Sequence, residues 1–151
     1  MVVRGWFPRQ SKPICPVNWS RAKETIFGAL DIENGGKLTA ERRKKINSEE
    51  FVGFARSLMD TYGDFFLMLD GAPWHRSRRT SGFIEEVRDC IEPIWLPPYS
   101  PELNPVEQYW RVLKRHLSNR LFESTEEFRQ VVEKEISDLY VGINKLHYLR
   151  E

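Results

Sequence analysis

The sequence predicts an α/β fold in which a mixed sheet is flanked by helices, and three observations predict it. Alternating residues near the N-terminus run into an Asn-Gly turn, two later apolar runs are too short for helices, and apolar residues recur at helical spacing between and beyond them. Strands first, then strands alternating with helices, is the element order of such a sheet.

Taken in order, the first forty residues read as two or three antiparallel strands. In Glu24–Ile32, Thr25, Phe27 and Ala29 alternate with Ile26, Gly28 and Leu30, and the stretch ends at Glu33-Asn34-Gly35-Gly36, a hairpin signal. Arg42–Lys45 is a basic run at a loop or strand end. Asn47 caps a helix with Glu50 at its third position; Phe51, Phe54, Ala55, Leu58 and Met59 share one face, and the helix ends near Gly63. Asp64–Leu69 is apolar after an acidic start, which predicts a strand covered on both faces, and it ends at Asp70-Gly71-Ala72-Pro73. A short helix over 80–89 and a second buried strand over Ile91–Leu96 follow. Beyond a proline-rich loop, Pro105 takes a first helical position behind Asn104, with Val106, Trp110, Leu113 and Leu117 as the apolar stripe. Ser124 and Glu127 have the spacing of a capping box for a last helix.

Hydrophobic residues at 40% and aromatics at 13% suffice for one core, so 151 residues are read as a single domain, 1–151. No run approaches the roughly 20 apolar residues of a membrane span, and no secretory pattern opens the chain, so a soluble cytoplasmic protein is expected. Cys15 and Cys90 are too few for a disulfide scaffold or a zinc site, and both are read as free thiols. Net charge is +1, but Trp74–Thr80 and Gln108–Arg120 together hold seven basic and no acidic side chains. Such clusters are the electrostatic footprint of a nucleic-acid partner.

Two carboxylates stand where chemistry is expected. Asp70 follows a strand and a turn directs it toward a cleft; Glu107 opens a helix further on, with 36 residues between the two. Together they make a hard oxygen site for Mg²⁺ or Mn²⁺, which keeps waters and phosphate oxygens as its other ligands. Plainer readings stay open on spacing alone: Asp70 as a turn residue, and Glu107 as the far arm of a capping box with Asn104 or as an i+4 partner of Arg111.

The wording of the motifs adds a resemblance. Leu69-Asp70-Gly71-Ala72-Pro73-Trp74-His75-Arg76-Ser77, and the run from Leu96-Pro97-Pro98-Tyr99-Ser100-Pro101 through Glu102-Leu103-Asn104-Pro105-Val106-Glu107 to Trp110 and Lys114, resemble the signature of DDE-type transposases of the mariner-like and bacterial insertion-sequence superfamily. Arg4-Gly5-Trp6 and Phe27-Gly28-Ala29-Leu30 are weaker stretches of it. The resemblance implies an RNase H-like fold, two Mg²⁺ or Mn²⁺ ions, cleavage at transposon ends and transfer of the freed 3′-hydroxyl into target DNA, hence association with the nucleoid. It implies Asp70 and Glu107 as catalytic metal ligands, with His75 and Asn104 beside them and His75 able to contact a phosphate. Arg76, Arg78 and Arg79, with Arg111, Lys114 and Arg115 on the side of the helix near Glu107, are the candidate DNA contacts.

The sequence departs from that pattern in three places. Gly71 replaces the usual Asn. The family's first Asp lies on a strand just upstream of the Arg-Gly-Trp stretch, whereas Arg4 follows Met1 by three positions and no Asp precedes Asp31. The family's helix-turn-helix domain has no counterpart. The expectation is a catalytic domain incomplete at its N-terminus, lacking the first central strand, with open strand edges or self-association as a homodimer. An inactive remnant that keeps the fold and non-specific DNA binding is the alternative.

Overall fold

The hairpin, the two later strands and the helices all form, in the order expected. The computed structural model describes residues 23–118 and 120–138. Their elements are β1 (Ile26–Asp31), β2 (Lys37–Arg42), α1 (Ser48–Tyr62), β3 (Phe65–Leu69), α2 (Arg78–Glu86), β4 (Ile91–Trp95), a 3-10 turn (Pro101–Leu103), α3 (Pro105–Leu117) and α4 (Thr125–Asp138). Cys15, the Arg4-Gly5-Trp6 stretch and the place of a third early strand lie outside the described residues.

The β1–β2 turn shows why Asn-Gly was the signal. Asp31 accepts from the Asn34 backbone N–H at 3.0 Å and from the Asn34 side-chain amide at 2.7 Å. Gly35 and Gly36 then take φ of 80° and 81°, which glycine adopts without the Cβ penalty. The strands pair antiparallel from Ile26↔Arg42 to Asp31↔Lys37. β3 and β4 pair in parallel from Phe65↔Ile91 to Leu69↔Trp95, joined through α2. Among the described residues these are two separate two-stranded sheets.

α1 is the wedge between them. Asn47 caps it by accepting from the Glu50 N–H at 2.9 Å, and Gly63 ends it at φ 70°. Its Ala55 is fully buried with Phe83, Val87 and Ile91 in the core beneath α2 and β4. Phe51 and Phe54 meet Phe27 of β1, with ring centroids 6.3 and 5.9 Å apart. α3 docks on the hairpin. An added Cβ at Gly28 would lie 2.6 Å from the Trp110 ring, so the absence of a side chain there is what lets the indole sit down on β1. Buried Tyr109 donates to the Gly36 carbonyl at 3.3 Å. Glu24, almost buried, binds Arg42 and Arg129 at 2.7 Å each and so ties α4 to the hairpin.

Four expectations need correcting. β3 and β4 are not covered on both faces: Phe66 is 67% exposed and Ile94 43%, because among the described residues α1 and α2 cover one face only. The short helix spans 78–86, since Ser77 caps it by accepting from the Thr80 N–H. On α3 it is Tyr109 that is buried with Leu113, while Val106 and Trp110 are half-buried. At α4, Ser124 accepts from the Glu127 N–H, but the Glu127 carboxylate reaches back to the N–H of Glu123, one residue beyond the cap, so the box does not close.

Two glycines separate close packing from open space. Gly28→Ala should cost about 1–3 kcal/mol of unfolding free energy by urea titration, because backbone and indole must part. Gly71→Ala should cost far less, since its Cβ would meet only the Arg76 side chain at 3.5 Å.

Candidate functional site

Asp70 directly follows the last residue of β3, and its carboxylate is held by two groups. Oδ1 accepts from the Ala72 N–H at 3.1 Å, the turn predicted by Asp-Gly-Ala-Pro, and from His75 Nδ1 at 2.7 Å. The Trp74 indole N–H lies 3.0 Å from His75 Nε2. An indole N–H only donates, so Nε2 is the acceptor and the ring proton is on Nδ1, aimed at Asp70. The imidazole also packs on Phe51, with centroids 4.4 Å apart. Both ring nitrogens are thus engaged within the protein, and the imidazole grips Asp70.

That grip has an electrostatic result. The His75 hydrogen bond holds the Asp70 carboxyl below its ordinary value of 3.8, against the opposing effect of partial burial. Oδ2 makes no hydrogen bond to any described residue, and the side chain is 40% exposed. Asp70 therefore presents one fixed, anionic oxygen outward.

Glu107 arrives from the hairpin side, in the first turn of α3, the helix packed on β1. Asn104 caps that helix by accepting from the Val106 N–H at 3.2 Å. The Glu107 carboxylate does not complete a capping box, and Arg111 bonds Gln108 instead of pairing with it. It has no hydrogen bond or ion pair among the described residues. Asp70, His75, Asn104 and Glu107 all line one cleft of about 930 Å³, between β1 on one side and β3 with β4 on the other. Asp31 lines it as well, but both its oxygens are committed to Asn34, so it is a turn residue rather than a substitute ligand. No group of three or more His, Cys, Asp or Glu gathers as a metal site among the described residues.

A family model of the DDE superfamily endonucleases matches residues 2–129. The chain belongs to the DDE superfamily of endonucleases. An uncharacterized protein of Sinorhizobium fredii (strain NBRC 101917 / NGR234), y4pE/y4sA, is 42% identical over 102 residues, covering 65% of this chain and 71% of the relative. Among solved structures, the Mos1 strand transfer complex matches with TM-score 0.69 at 16% identity, over 97% of this chain and 47% of that one. The Mos1 transposase paired-end complex with left transposon end gives 0.69 at 18%, and the Mos1 mariner paired end complex with Mn gives 0.65 at 14%. The DDE domain spans about half the length of these chains, and the likeness establishes its RNase H-like α/β fold.

Within this DDE domain the expected basic residues fall around the cleft rather than inside it. Arg76 stacks over Trp95 at 5.0 Å and its guanidinium passes beside Gly71, next to Asp70. Arg78 and Arg79 are exposed at the start of α2, and Arg111, Lys114 and Arg115 are exposed along α3. Sequence reasoning missed Trp74, Phe51 and Trp95 as supports. The adjacency of Trp74 to His75 was the available signal for the first; the other two depend on contacts that no spacing encodes.

The sign of the Asp70 shift fixes a pH dependence. A depressed carboxyl contributes stability that is fully present above its unfolded value and lost as pH falls through the lower folded value. His75→Phe keeps the packing on Phe51 but removes the donor. The Asp70 carboxyl should then titrate at a higher pH by carbon NMR, with less acid-labile stability below about pH 4. An unchanged Asp70 titration would contradict the assignment.

Proposed function

We propose that this chain carries out metal-dependent phosphoryl transfer on DNA, cleaving at transposon ends and joining the freed 3′-hydroxyl to target DNA. The observation that carries the reading is that Asp70, at the end of β3, and Glu107, at the start of α3, line one cleft, the Oδ2 of Asp70 and both oxygens of Glu107 being without a hydrogen-bond partner among the described residues. The Mos1 complexes with a transposon end, in strand transfer and with Mn, support it by shared fold.

The donor set suits a hard divalent cation: two carboxylates, one kept anionic by His75, with room for water and phosphate oxygens. Asp70 and Glu107 would hold Mg²⁺ or Mn²⁺, whose chemistry when bound is to activate an attacking oxygen and neutralise charge on the scissile phosphate. Everything else is the work of the chain. The Trp74–His75–Asp70 chain of hydrogen bonds fixes one carboxylate, and the Asn104 cap fixes the turn carrying the other. Arg76, held on Trp95, is placed for a phosphate beside Asp70. Arg78 and Arg79 occupy the first turn of α2, where the helix dipole disfavours cations, so their use lies outside fold stability: they and Arg111, Lys114 and Arg115 contact DNA phosphates. Among the described residues β1 and β3 each pair on one side only, and their other edges are where a second copy can add strands.

A second reading, DNA binding without catalysis, is favoured by one observation. No third acidic or histidine ligand joins Asp70 and Glu107 among the described residues, and residues 1–22 contain no Asp or Glu.

Cleavage of duplex DNA in Mn²⁺ should fall by roughly a hundredfold or more in Asp70→Ala and in Glu107→Ala. Salt-dependent DNA binding with no cleavage in any divalent metal would favour the second reading instead. DNA affinity should fall with salt, with a log–log slope near −0.9 per phosphate contact, and Lys114→Glu with Arg115→Glu should flatten that slope equally for all sequences. Binding that survives high salt would count against the phosphate contacts.

A further inference from the structure

Tyr99 has no role in the folded domain that the described residues can account for. It is 102% exposed, and at φ 58° it is the one non-glycine residue with a positive φ among those described. That backbone costs energy, and residues held so collect at functional sites. Its ring makes no ring contact, ion pair or hydrogen bond with any described residue.

Its position is informative. The Leu96 N–H donates to the Leu69 carbonyl at 2.8 Å, so the β3–β4 ladder continues up to the residue before Asp70. Tyr99 stands three residues beyond Leu96, within about 10 Å of chain. The same loop ends at Asn104, which caps the helix bearing Glu107. Pro97, Pro98 and Pro101 limit its freedom, and Ser100 Oγ donates to the Pro98 carbonyl at 3.2 Å. The ring is therefore presented on a stiff segment strung between the two carboxylates. Close to Asp70, Arg76 is fixed on Trp95. The rim so combines a held cation for a phosphate with an open aromatic face.

We infer that Tyr99 is a stacking platform for an unpaired base of the DNA strand engaged at Asp70 and Glu107. Bases inside an intact duplex are covered on both faces by their neighbours, so an open ring can stack only on a terminal, frayed or single-stranded base. Such stacking tolerates any sequence, since every base has a π face. The inference rests on the DNA reading above and names a strand end or unpaired segment as the preferred form of that substrate.

The test uses the full chain with two DNA probes carrying 2-aminopurine, one in a short single-stranded overhang and one inside a blunt duplex. The wild type should quench the overhang fluorophore on binding. Tyr99→Ala should abolish that quenching and weaken overhang binding by roughly tenfold while leaving blunt-duplex affinity unchanged, and Tyr99→Phe should restore both. Circular dichroism checks the fold of each variant. Unchanged quenching in Tyr99→Ala, equal losses on both probes, or failure of Tyr99→Phe to restore stacking would overturn the inference while leaving DNA binding in place. A wild-type chain that binds neither probe would instead overturn the DNA reading beneath it.

Discussion

The site depends on the ring of Phe51. It lies buried in α1 between Phe27 of β1 and the imidazole of His75, with centroids 6.3 and 4.4 Å away. Asp70 follows β3, and Glu107 lies on α3, which packs on the β1–β2 hairpin; the two sheets share no strand pairing among the described residues, so no backbone ladder sets the relation of the two carboxylates. Side-chain packing has to set it. The link runs from Asp70 through His75 and Phe51 to Phe27, and then through β1 itself. Phe27 and Gly28 are consecutive and so face opposite sides of the strand: Phe27 meets α1, while Gly28 receives Trp110 from the helix that bears Glu107. One short strand thereby holds both supports of the cleft.

The two carboxylates are prepared differently. Asp70 is held at one oxygen by a ring whose other nitrogen is occupied by Trp74, so its direction and charge are determined before any ligand arrives. Glu107 is positioned only by its helix, through the Asn104 cap and the Trp110 and Tyr109 contacts behind it. A site with one fixed and one adjustable oxygen ligand can keep a cation while a phosphate changes geometry beside it.

Much of this was legible in the sequence because it is local. Asn47, Asn104 and Ser124 each cap a helix with their own side chain, and Asn34-Gly35-Gly36 carries its own backbone requirement, so spacing alone located those ends, whereas the Ser77 cap of α2 was missed and that helix was placed two residues late. The places of Asp70 after a strand and of Glu107 at a helix start were legible because strand end, turn and helix start are also local signals. What escaped is long-range. Phe51 and His75 are 24 positions apart, and the notch at Gly28 is made for a residue 82 positions later, relations that periodicity cannot express. The same limit explains β3 and β4: an apolar run shows that a strand is largely apolar, not how many layers cover it, and Phe66 and Ile94 proved exposed.

If Asp70 and Glu107 serve a single cation, as proposed, a double-mutant cycle on Mn²⁺ affinity, read by electron paramagnetic resonance, reveals it. If both carboxylates hold one ion, Asp70→Asn and Glu107→Gln should each weaken binding by about tenfold or more, and the double variant should lose much less than the product of the two, since neighbouring ligands are coupled. Losses that multiply independently, or singles that bind Mn²⁺ as the unchanged chain does, would contradict the claim.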